Sequence, residues 1–238
     1  MRYYYIEPFP RGLRSIILAT VIVFFIQLIF QATGSPRFIL TFGLVPRLFW
    51  HGFIWQAFTY MFLHGGFFHI FINMFILWMF GRELEALWGT GRFLRYYFIT
   101  GVGAGVITAL FRYHSAIPVI GASGAIYAVL LAFGMLFPNR PVFLYFFIPM
   151  PAKFMVLLFF FIEFFSTLGY ARDNIAHIAH LGGMVIGFIY LRVMAMSGPW
   201  REKRRIQREL DRILMKLSRE GWDSLELWEK NFLREYYQ

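Results

Sequence analysis

Six stretches of nearly unbroken apolar residues recur along the chain, separated by short polar or charged segments. The first, residues 15–32, carries no charge and predicts a membrane-crossing helix. Arg2, Glu7, Arg11 and Arg14 precede it and no clear small-residue cleavage site follows, so it is expected to be retained as a signal anchor. The same pattern predicts spans at 67–80, which is short, at 96–111, 117–137, about 152–168 and 175–196. Residues 33–66 are neither polar nor a clean span. Pro36 and Pro46 break them, and Phe49, Trp50, Phe53, Trp55, Phe58 and Tyr60 predict an element lying in the membrane interface. After Trp200 the pattern becomes amphipathic: Ile206, Leu210, Ile213, Leu214 and Leu217 recur at helical spacing up to Gly221, and a second short helical pattern follows. A small helical hairpin on the cytoplasmic side is expected there.

Composition narrows the class. Of 238 residues, 59% are hydrophobic and 15% charged, whereas a soluble domain runs at about 45–50% and about 25%. That excess excludes a soluble globular chain and predicts an all-α integral membrane protein. With no cysteine there is no disulfide, thiolate metal site or cysteine nucleophile. The formal net charge is +10, but residues 1–200 hold 13 Lys+Arg against 5 Asp+Glu, and the remainder 10 against 8. The basic excess thus sits in the loops, which points to membrane topology and anionic lipid, not to nucleic acid. Placing the N-terminus inside puts Arg2, Arg11, Arg14, Arg82, Arg92, Arg95, Arg140 and Arg192 on the cytoplasmic side, with Lys153 also at the inner start of its span. Arg37, Arg47, Arg112 and Arg172 then lie outside, so both termini are expected in the cytoplasm.

Strongly polar groups inside spans are costly and need a reason. They are His69 and Asn73, Ser123, Glu163, and His177 and His180. Counted from the outer ends of spans two, four and six, His69, Ser123 and His180 fall roughly 5–10 Å below the surface at about 1.5 Å per residue. A lone serine in a span usually bonds its own backbone, and a lone histidine often serves as a structural donor. Three helices placing such groups at one level favour a shared site. On span six His177, His180, Gly183 and Gly187 share a face, and on span four Gly121, Gly124 and Ala125 surround Ser123 with Tyr127 one turn below. If those small-residue seams meet, the Ser123 hydroxyl reaches the His180 imidazole. A serine needs a positioned base, and neutral histidine is suited to that task. His69 and Asn73 project together at i, i+4 and, with the Ser123 N–H, could donate to an oxyanion. No carboxylate is expected beside the ring. Glu163, near the end of its span, is expected to snorkel outward and is assigned no chemistry. Metal binding by His64, His69, His177 and His180 is the lesser reading, since no HExxH helix is present. No metal or cofactor is called for, and the glycines at Gly101 and Gly105 are read as packing only.

The segments WQAFTYMFLHGGFFHIFIN, GRELEALWG, GASGAIYAVL and AHIAHLGGMVIG, in that order, resemble the rhomboid intramembrane serine proteases over roughly residues 40–195. The resemblance implies a six-transmembrane-helix bundle with a membrane-embedded first loop and a short helical tail. It implies Ser123 as nucleophile, His180 (not His177) as base, His69 and Asn73 as oxyanion donors, and Tyr127 stacked on the catalytic ring. Glu85 and Gly89 would belong to a structural motif after span two. The family's usual Trp-Arg pair in the first loop is Trp55-Gln56 here, so that loop lacks a guanidinium anchor. The expected organisation is a protease domain over 1–198 and a cytoplasmic tail over 199–238. The expected activity is cleavage of transmembrane protein substrates near the outer face of a prokaryotic cell membrane. A proteolytically inactive binder of membrane clients is the alternative. A small transporter is disfavoured because no span is polar through its depth.

Overall fold

In the computed structural model, residues 9–144, 147–168, 174–196 and 198–237 are described. Arg2, Glu7, Arg172 and Asp173, which entered the charge and topology reading, lie outside them, and the side chains of Trp200 and Ile206 are likewise undescribed. By contacts the chain forms two units, residues 1–190 and 191–238.

The first unit is built from helices α1 (Arg11–Ala32), α2 (Arg37–Phe42), α3 (Pro46–Phe49), α4 (Gln56–Thr59), α5 (Phe67–Trp88), α6 (Thr90–Phe111), α7 (Ser123–Leu136) and α8 (Ala152–Leu168) and most of α9 (Asn174–Met196). Among the described residues, four helices are long and apolar enough to cross a membrane: Arg11–Ala32, Phe67–Trp88, Thr90–Phe111 and Ala176–Ala195. The apolar helices α7 and α8 are shorter, at 14 and 17 residues. Outward faces are apolar, as a lipid-facing surface requires: Leu18, Ile22, Phe25 and Ile29 on α1, and Phe161, Ile162 and Phe165 on α8, are exposed. A two-stranded antiparallel hairpin, β1 (Pro141–Leu144) with β2 (Ile148–Pro151), interrupts the all-helical expectation between α7 and α8.

The first and third helices begin earlier than the sequence reading had them, at Arg11 and Thr90, and two further boundaries differ for reasons the structure shows. The second span does not stop at Phe80. Its helix continues to Trp88, with the charges accommodated: Arg140 donates to the Glu83 carboxylate, and the Arg82 guanidinium lies over the Trp78 ring, 4.7 Å from its centroid. Glu85 points inward instead. Its carboxylate accepts from the N–H groups of Gly12 at 2.8 Å and Leu13 at 2.7 Å and from the Thr90 hydroxyl at 2.6 Å. A negative group thereby caps the start of α1, whose first-turn N–H groups have no intrahelical acceptor. Glu85→Ala is expected to destabilise the protein by about 2–3 kcal/mol. A lowered melting temperature in detergent, with Ser123 geometry otherwise retained, is the measurement that checks it.

The fourth span likewise does not begin as a helix at residue 117. Pro118 and Gly121 (φ 128°) keep the chain out of the helix until Ser123, and Val119 exchanges two backbone hydrogen bonds with Leu44 at 2.8 and 2.9 Å. Gly121 N–H then bonds the Tyr60 carbonyl at 2.9 Å. The helical depth count for Ser123 therefore fails at its starting point, since Ser123 is the first residue of α7.

The segment before α5 is anchored without a guanidinium. Gln56 is fully buried; its amide nitrogen donates to Leu40 O at 2.7 Å and its oxygen accepts from Val45 N–H at 3.0 Å. A neutral amide can both donate and accept in this loop, which an arginine could not. Tyr60, also buried, donates to Gly101 O at 2.7 Å, and a Cβ at Gly101 would come within 2.1 Å of Met61. Gly101 is thus a packing glycine.

In the second unit α10 (Gly198–Glu220) turns at Gly221 into a 3₁₀ turn (Trp222–Ser224) and α11 (Leu227–Tyr237). Leu210, Ile213, Leu225 and Leu233 form its core, with Leu214, Leu217 and Phe232 against it. Glu229 accepts from Lys216 Nζ at 2.9 Å and from Glu226 N–H at 2.8 Å, and these donors hold its carboxyl below the usual range.

Candidate active site

The seam between α7 and α9 forms because glycine removes the side chains that would block it. A Cβ on Gly183 would lie 1.9 Å from the Gly124 carbonyl oxygen, and one on Gly124 would lie 2.8 Å from Ala104 Cβ and 3.2 Å from Ala179 O. Gly187 faces Tyr96 Oη and Ala128 in the same way. Close backbone approach of this kind is how small residues join apolar helices in lipid, where hydrophobic burial gives no net drive.

Across that seam Ser123 Oγ and His180 Nε2 stand 2.7 Å apart. The Tyr127 ring stacks on the His180 ring, with centroids 4.3 Å apart and planes 11° from parallel. Ser123 opens α7, so its N–H belongs to the first turn and has no intrahelical acceptor.

His69 and Asn73 sit on the first two turns of α5, one helical turn apart. His69 Nδ1 accepts from Gly65 N–H at 3.2 Å, which leaves its Nε2 to carry the proton. That Nε2 lies 3.1 Å from the point a Gly121 Cβ would occupy, and Ser123 Oγ lies 3.8 Å from the same point. The recess beside the hydroxyl is therefore bounded by an imidazole donor, and the absent side chain of Gly121 keeps it open. One amide hydrogen of Asn73 is engaged, donating to His69 O at 2.8 Å. His64, fully buried, is tied to α1 by a reciprocal clasp, Gln27 Nε2 to His64 O at 2.7 Å and His64 N–H to Gln27 Oε1 at 3.1 Å. Its ring meets that of His69 with centroids 5.0 Å apart.

The four histidines do not gather as a metal-binding set. Among the described residues the group with metal-ligand spacing is Glu163, His177 and His180, whose donor atoms lie within 4.8 Å of one another. Glu163 corrects the sequence reading outright. It does not snorkel: it is 4% exposed. Its carboxylate accepts from the Tyr127 hydroxyl, lies 2.5 Å from His177 Nδ1, and places Oε2 3.1 Å from His180 Nδ1. A carboxylate does stand beside the ring. The signal that could have found it was its helical register: Met155, Phe159 and Glu163 follow at intervals of four on one stripe of α8, and Met155 is buried.

A Rhomboid domain family model matches residues 51–197. The chain is 30% identical over 170 residues to Rhomboid protease GluP of Bacillus subtilis (71% of this chain, 32% of the relative). It is 29% identical over 157 residues to the mitochondrial Rhomboid protein 1 of Saccharomyces cerevisiae (61% and 43%), and 29% identical over 162 residues to Rhomboid-like protease 2 of Toxoplasma gondii (65% and 53%). The matched stretch thus spans between a third and about half of these relatives.

Proposed function

This chain belongs to the rhomboid family, and from that premise we propose that it is an intramembrane serine endopeptidase that cleaves transmembrane segments of membrane proteins near the outer face. Residues 1–198 are the six-helix protease domain and 199–238 a cytoplasmic tail, with both termini inside a prokaryotic cell membrane. The observation that carries the reading is the 2.7 Å contact between Ser123 Oγ and His180 Nε2 across a glycine-lined seam. Neutral His180, accepting at Nε2, takes the hydroxyl proton as Ser123 Oγ attacks the scissile carbonyl. The carbonyl oxygen becomes an oxyanion held by the Ser123 N–H, His69 Nε2–H and Asn73 amide. His180 then gives its proton to the leaving amine, and the same ring activates the water that hydrolyses the acyl-enzyme. A substrate helix hides its carbonyls in its own hydrogen bonds, so it must unwind locally before attack.

The test uses purified full-length chain in detergent with a generic single-span substrate and a fluorophosphonate probe. Cleavage is expected, and the probe is expected to label Ser123 and no other serine. A chain that neither cleaves nor labels would be a client-binding relative and would end the protease reading.

A further inference from the structure

Resting on the protease reading, we propose that Glu163 is a positioning residue for His180, orienting the ring and facing its charge while Ser123 and His180 exchange the proton. The carboxylate lies on a helix whose neighbouring side chains, Phe161, Ile162, Phe164 and Phe165, face outward and are exposed. An ionisable group buried in such a helix is costly unless several donors converge on it. Here they do. The Tyr127 hydroxyl donates to one oxygen, and the other lies 2.5 Å from His177 Nδ1 and 3.1 Å from His180 Nδ1.

The state of the His180 ring makes the third contact consequential. Attack needs Nε2 as the acceptor of the Ser123 proton, and in that tautomer the ring carries its own proton on Nδ1. That Nδ1 is buried and has no aligned hydrogen-bond partner. A buried N–H left unmet is costly, and the acceptor at hand is Oε2 of Glu163, needing only a small rotation of ring or carboxylate to align. As Ser123 Oγ bonds to the carbonyl carbon, its proton passes to Nε2 and the ring becomes an imidazolium. Nδ1 keeps its hydrogen throughout, Glu163 neither gains nor loses a proton, and its negative charge faces the positive ring from a buried position, where screening is weaker than in bulk water. Tyr127 couples the two, since one residue stacks on the ring and bonds the carboxylate.

The rival explanation is structural: Glu163 and His177 merely fasten α8 to α9. The two separate in steady-state kinetics of the purified full chain on the single-span substrate. Glu163→Gln, which preserves shape and removes charge, is expected to lower kcat about 10–100-fold, less than the about 10⁴-fold known for a fully aligned triad carboxylate. KM should change less than about twofold, and fluorophosphonate labelling of Ser123 should slow in parallel. His177→Gln, which cuts the fastening and keeps the carboxylate, should lower kcat by less. In wild type, proton NMR should show a strongly deshielded Nδ1–H assigned to His180 and distinct from that of His177, a readout independent of whether any variant folds. A Glu163→Gln protein with wild-type kcat, an equal loss in His177→Gln, or the absence of that resonance overturns the inference while leaving the protease reading intact. A wild-type chain without Ser123-dependent cleavage removes both.

Discussion

Ser123→Ala is expected to reduce cleavage of a single-span substrate to the uncatalysed background, a loss of about 10⁶-fold in kcat on the scale seen when a serine nucleophile is deleted. The melting temperature in detergent should hardly move. The hydroxyl is half-buried and its hydrogen bond runs to His180, so removing one oxygen unties no helix. His180→Ala should lose about as much activity, because the unactivated hydroxyl is a poor nucleophile. It should also cost some stability, since the ring stacked on Tyr127 goes with it. The double variant should be no slower than either single one: two residues that perform one proton transfer act as a unit, and their losses do not add. Ser123→Ala retaining more than a few per cent of the wild-type rate would remove the nucleophile assignment.

What the chain discloses before folding follows from where its signals are local. Ser123, Tyr127, His180, Gly183 and Gly187 could be read because each stands at helical spacing from small residues that define a face, and the pattern survives in the structure. Glu163 could not be read in that way. It lies 40 residues after Ser123 and 17 before His180, on an element whose other residues announce only lipid, and its partners are supplied by two other helices. Treating a charge near a span end as a snorkelling group ignored its register with buried Met155. Gln56 was opaque for a related reason. Missing arginine looked like a missing anchor, yet an amide can clasp both an N–H and a carbonyl of the same loop. The start of α7 was misjudged because hydropathy does not distinguish an extended apolar strand from a helix, whereas Pro118 and the left-handed Gly121 do.

Gly183 carries the second large effect, and it acts through distance alone. A methyl group there would stand 1.9 Å from the Gly124 carbonyl oxygen and 2.7 Å from the carbonyl carbon, contacts to backbone that no side-chain rotation relieves. Since Cβ atoms do not approach closer than 3.0 Å, α9 must withdraw from α7 by about 1 Å. The same seam sets the 2.7 Å separation of Ser123 and His180, so a hydrogen bond becomes a gap. Displacement of that size costs about 10²-fold in rate, and overpacking adds about 1–3 kcal/mol of destabilisation. Gly183→Ala should therefore lower both kcat and the melting temperature. Gly187→Ala should do less, because its nearest clash is with the Tyr96 hydroxyl, the end of a side chain, at 2.6 Å. Gly91→Ala, with nothing within 4 Å, should be neutral or raise stability by up to about 1 kcal/mol through helix propensity. The order of these three variants is the test. If Gly183→Ala were as active and as stable as Gly91→Ala, close backbone contact would not be what holds the serine and the histidine together.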